Sequence, residues 1–114
     1  MENCTFCKII NRQIPSKIVY EDEKVMAFHD INPVTPVHII IIPKIHIANV
    51  NELTADNASV MGDIHLAAQK IAEKLDIAKD GYRLINNCGE DAGQTVFHLH
   101  YHLLGGRRLG AKII

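Results

Sequence analysis

The chain has 114 residues, 47% of them hydrophobic, with 12 basic against 13 acidic side chains. That length reads as one domain, residues 1–114, large enough to bury its own core. A net charge of −1 without any basic block argues against nucleic acid or an anionic membrane as partner. With no apolar run of signal-peptide or membrane-spanning type, a cytoplasmic protein is expected.

An odd cysteine count, three, makes a disulfide framework an unlikely design, so Cys4-Thr5-Phe6-Cys7 suggests metal or redox chemistry. Phe6 to Ile10 reads as a short amphipathic helix stopped before Pro15. Lys17–Glu21 and Val25–Phe28 are β-prone runs separated by Asp22-Glu23-Lys24, the pattern of a hairpin. The stretch from Asp30 to Pro36 carries two prolines and should be a loop. His38 then enters a strand with four consecutive isoleucines, 39–42, which should be covered on both faces.

Between Leu53 and Leu75 the apolar positions Val60, Ile64, Ala68, Ile71 and Leu75 step by three or four, the stripe of a long helix with Thr54 as its N-cap. Asp80-Gly81 turns into a strand over residues 82–87. A polar, glycine-bearing loop, residues 88–95, leads to a last strand ended by Gly105-Gly106. The fold class is α+β, with about five largely antiparallel strands, one short N-terminal helix and one long helix.

That last strand contains His98-Leu99-His100-Tyr101-His102-Leu103-Leu104. Alternation sets the three histidines on one face and Leu99, Tyr101 and Leu103 on the other. Neighbouring rings about 6.5–7 Å apart along the strand could share zinc or divide nucleophilic and binding roles around one electrophile. Crowded imidazoles disfavour one another's protonation, which keeps a ring neutral near pH 7. Residue types and spacing leave metal and nucleophile both open. His65 on the long helix and Cys88 carry no motif and are assigned to surface and loop.

The run resembles the His-φ-His-φ-His-φ-φ signature of the histidine triad superfamily, where φ is apolar. Phe6-x-Lys8-Ile9-Ile10, Ile14-Pro15, Phe28-His29-Asp30-Ile31-Asn32-Pro33, His38, Pro43-Lys44-x-His46, Asn87 and Gly93-Gln94-Thr95 extend the likeness to its Hint branch over nearly the whole chain. The resemblance implies a homodimeric nucleotide-binding hydrolase that cleaves the P–N bond of purine nucleoside 5′-phosphoramidates, with an AMP or GMP moiety and no catalytic cofactor. It makes His100 the nucleophile, with His98, His38, His102 and Thr95 orienting it or holding phosphate oxygens. It assigns Phe6, Ile9, Phe28, His29, Asp30, Ile31, Asn87, Gly93, Gln94, Thr95 and Val96 to the nucleotide, Asp30 taking the ribose hydroxyls.

Some bacterial-type members pair such a Cys-x-x-Cys with two histidines, which implies a structural zinc on Cys4, Cys7, His46 and His98. Three alternatives stand beside this reading: a zinc-dependent hydrolase using His98, His100 and His102, a diadenosine polyphosphate hydrolase, and a nucleotide-binding scaffold with little turnover.

Overall fold

A computed structural model describes residues 3–114. Five strands, β1 (Ile18–Glu21), β2 (Val25–His29), β3 (Val37–Pro43), β4 (Arg83–Ile85) and β5 (Tyr101–Gly105), form one sheet in the order β1-β2-β3-β5-β4, with every neighbouring pair antiparallel. Helix α1 (Thr5–Ile10) covers one face and α2 (Ser59–Lys74) the other. This is the expected α+β architecture. Among the described residues no helix is long and apolar enough to cross a membrane.

The isoleucine run shows why β3 lies centrally. Ile39 and Ile41 join a core with Val25, Ala27, Leu99, Leu103 and the α2 residues Ile64, Ala68 and Ile71, whereas Ile40 and Ile42 join Phe6, Ile9, Met26 and Phe28. Period-2 alternation thus feeds two cores from one strand. His38 and His102 share the α1 side with Ile40, because Ile40 stands opposite His102 and His38 lies two residues before Ile40.

Three boundaries differ from the sequence reading. The long helix begins at Ser59, not near Leu53, and its N-cap is Ala58. Thr54 instead closes a separate turn, its carbonyl accepting from the Asn57 and Ala58 amides while Asn57 Oδ1 accepts from the Thr54 amide. Those local bonds compete with helix and win. The strand expected over 82–87 is regular only over Arg83–Ile85. The last strand is regular only from Tyr101, so His98 and His100 precede it on irregular backbone, although Leu99, Tyr101 and Leu103 still face the α2 core as alternation requires. Helix α1 ends at Ile10 with Asn11 as its C-cap, and Arg12 takes φ 64°, so the turn toward Pro15 starts before the proline acts.

Candidate active site

Irregular backbone needs other partners for its polar groups, and these fix the His98–His100 segment. The Leu99 amide donates to the Ile47 carbonyl at 2.6 Å. Asn86 Nδ2 donates to the His100 carbonyl at 2.8 Å, extending the tether past the end of β4. Asn87, expected at the nucleotide, is half-buried next to Asn86, and the tether through Asn86 is one the sequence does not signal. Two adjacent asparagines at a strand end give no signal as to which one faces the neighbour.

Main-chain partners also set the tautomer of each ring. His98 Nε2 donates to the Pro43 carbonyl at 2.8 Å, which leaves a lone pair on Nδ1. His100 Nδ1 donates to the His98 carbonyl at 2.8 Å, which leaves Nε2 free as a lone-pair donor. His38 Nδ1 accepts from the Val34 amide at 3.1 Å, so a neutral His38 carries its proton on Nε2. That proton is donated to His102 Nδ1 at 2.8 Å, with Asp30 Oδ2 3.4 Å away. His102 in turn keeps its proton on Nε2. The result is a bare nitrogen on His100 beside an N–H on His102, with ring centroids 5.3 Å apart.

All four rings are held neutral. Burial is the main cause in each case, and it lowers His38, His100 and His102 below their ordinary 6.5 and His98 to about 4. The Asp30 carboxylate opposes burial at His38, His100 and His102.

A second group lies on the other side of His98. Cys4 Sγ stands 3.4 Å from His98 Nδ1, Cys7 Sγ 3.4 Å from His46 Nδ1 and 3.6 Å from His98 Nδ1, and the two Nδ1 atoms are 3.2 Å apart. Tetrahedral zinc with Zn–S of about 2.3 Å and Zn–N of about 2.05 Å needs N–S separations near 3.6 Å and N–N near 3.3 Å. The donor set fits zinc, and the Pro43 bond already turns the His98 lone pair toward it. Without metal, burial and then the Cys4 thiol push Cys7 up to about 11. Asp30, His38 and His102 also converge within 4.8 Å. Metal there would need the His38 Nε2 lone pair, which the Val34 amide denies by occupying Nδ1. Among the described residues His98, His100 and His102 do not gather into a three-histidine metal group.

Phe6 joins the two groups. Its ring lies 5.1 Å edge-on from His100, 6.0 Å from His98 and 5.6 Å from Phe28. Ile9 and Phe28 are buried with it and Val96 packs against them, while His29 is exposed and Ile31 is 92% exposed. Gln94 is turned inward: its amide nitrogen donates to the Ala48 and Val96 carbonyls and its oxygen accepts from the Gly89 amide, which folds the loop before the histidines. Gly93 takes φ 90°, the left-handed conformation that this loop requires. Thr95 is exposed beside it. Cys88 is a half-buried loop residue, and His65, as expected, is at the surface. A cavity of about 640 Å³ between the Asp76–Gly81 turn and the Gly106–Gly110 tail contains none of the histidines.

The histidine constellation on this fold defines a class. The HIT domain matches residues 11–109, and the chain belongs to the HIT domain family. It is 53% identical over 112 residues to the purine nucleoside phosphoramidase of Escherichia coli K12, covering 98% of this chain and 94% of that protein. Among solved structures, a HIT family hydrolase from Clostridium thermocellum superposes with a TM-score of 0.98 at 65% identity, over 100% of this chain and 99% of that one. A histidine triad protein from Clostridium difficile gives 0.95 at 44% identity, over 99% and 98%.

Proposed function

We propose that the protein is a purine nucleoside phosphoramidase that works through a nucleotidyl-histidine intermediate. The observation that carries this is the tautomer of His100: its Nδ1 is committed to the His98 carbonyl, and its neutral Nε2 is the one nitrogen free to attack. Attack on the α-phosphorus forms an N–P bond, and the substrate's P–N bond breaks. The departing amine takes up one proton and the attacking water later gives one back, so the cycle balances. His102 Nε2–H is the group assigned to handle that proton and the phosphate oxygens, with Thr95 as a second oxygen donor. Water then frees the nucleoside monophosphate and His100.

Phe6, Ile9 and Phe28 supply apolar surface for a purine, with His29, Ile31 and Val96 at its margin and Asp30 for the ribose hydroxyls. Asn87 and Gly93 line the phosphate end, and Gln94 acts by shaping the loop. Near-full-length identity of 53% to the E. coli phosphoramidase supports this substrate class. The chemistry needs no metal on the reacting atoms. Zinc on Cys4, Cys7, His46 and His98 is proposed as structural, tying α1 and the His46 segment to the nucleophile's strand. A single-domain homodimer in the cytoplasm completes the reading.

Turnover of adenosine 5′-phosphoramidate against diadenosine polyphosphate tests it. The phosphoramidate should be cleaved with the higher kcat/KM. Preference for the polyphosphate would assign the protein to the dinucleotide hydrolases, and binding without cleavage of either would leave a scaffold.

A further inference from the structure

The Cys4–Cys7 pair is a dithiol beside the proposed purine slot, with Cys4 packed against the cluster of Phe6, Ile9 and Phe28. Both residues are only partly buried, and both thiols are free. The two sulfurs and the His46 and His98 nitrogens all lie within 4.8 Å of one another. The Cys7 amide donates to Cys4 Sγ at 3.3 Å, which holds the first sulfur over the second across a single helical turn. A disulfide needs a sulfur–sulfur bond of about 2.05 Å, and both sulfurs belong to the first turn of α1 and its N-cap. Between these cysteines sits Phe6, which packs edge-on against His100 and Phe28. Whatever displaces the two thiolates therefore displaces a residue of the purine slot.

We infer that Cys4 and Cys7 form a redox modification site: two-electron oxidation by a low-molecular-weight disulfide converts the pair to an intramolecular disulfide, ejects zinc and weakens nucleotide binding. The site itself follows from the dithiol and its imidazole partners; its effect on nucleotide rests on the phosphoramidase reading. In the step, one zinc-bound thiolate attacks the small disulfide and expels one small thiolate. The second cysteine thiolate attacks the mixed disulfide and expels the other. Two electrons pass from the cysteine pair to the reagent, one S–S bond forms and one breaks, and no net proton moves. Disulfide sulfur no longer offers a thiolate to a metal, so only His46 and His98 would remain as zinc ligands and the ion would be released to solvent. Helix α1 then rests on the packing of Phe6, Ile9 and Ile10.

The zinc-loaded full chain is first tested for AMP binding by calorimetry, then treated with oxidised glutathione while a chromogenic chelator reports zinc and peptide mass mapping reports disulfides. One zinc should be released per Cys4–Cys7 disulfide, with AMP affinity falling roughly tenfold and both changes reversed by dithiothreitol with added zinc. Retention of zinc with intact thiols, or a disulfide that involves Cys88 instead, would overturn the modification site. Formation of the Cys4–Cys7 disulfide with unchanged AMP affinity would overturn the coupling. Failure of the reduced, zinc-loaded chain to bind AMP sinks the phosphoramidase reading, while zinc release and mass mapping still decide the redox site.

Discussion

Three histidines that alternate along one stretch have three different hydrogen-bond addresses: His98 on Pro43, His100 on His98, and His102 on His38. In each case the partner decides which nitrogen carries the proton. Asn86 acts one step behind them by holding the His100 carbonyl, and so the main chain that carries the proposed nucleophile. Replacing it with Ala should lower stability by about 1 kcal/mol and kcat roughly tenfold through misplacement of His100. The measurement is kcat against KM. An unchanged kcat at full folding would show that the other tethers suffice.

Among the elements, α1 does the most with six residues. Its N-cap Cys4 and its Cys7 face the His46–His98 pair and its Phe6 faces His100, so one turn and a half of helix connects the proposed zinc site with the proposed purine slot. Phe6→Leu keeps apolar volume but loses the edge contacts, each worth about 1 kcal/mol. KM for the phosphoramidate should rise about fivefold at nearly constant kcat. At the far end of β5, Gly106 has φ 89°, and a Cβ there would lie 2.9 Å from Pro36 Cβ and 3.3 Å from the Val37 amide, beside the loop that presents Val34 to His38. Gly106→Ala should cost about 2 kcal/mol from left-handed strain and crowding, read as a lower urea midpoint at unchanged slope.

The sequence was legible wherever periodicity reports burial: the isoleucine strand, the α2 stripe and the alternation of the histidines with Leu99, Tyr101 and Leu103 all took their expected faces. It was silent where single hydrogen bonds decide. Thr54 and Asn57 closed their own turn instead of capping α2, β4 stopped at Ile85, and the Asn86 tether depends on a side-chain direction that no periodic pattern encodes. The tautomers of His98 and His100 likewise depend on the main-chain carbonyls of Pro43 and His98, which no side-chain pattern encodes.

For the molecule as a whole, the buried imidazoles govern pH behaviour. His38, His100 and His102 titrate below the ordinary 6.5, chiefly because burial penalises the charged form. Neutral His100 is therefore preserved as the pH drops through 6.5, and the acid limb of the kcat/KM profile should lie below that value. The same sign holds for stability. Groups with depressed folded values bind protons more readily unfolded, so their contribution is complete above 6.5 and declines as the medium is acidified. An acid limb at or above 6.5 would mean that the nucleophile is not the buried ring.

The covalent step proposed at His100 is directly observable. The protein is mixed with adenosine 5′-phosphoramidate, quenched within the first turnover and examined by intact mass and peptide mapping. An adenylyl group on His100 is predicted, absent in His100→Gln and retained after chelation of zinc. Product formation at full rate with no adduct at any quench time, or an adduct mapped to another histidine, would contradict it.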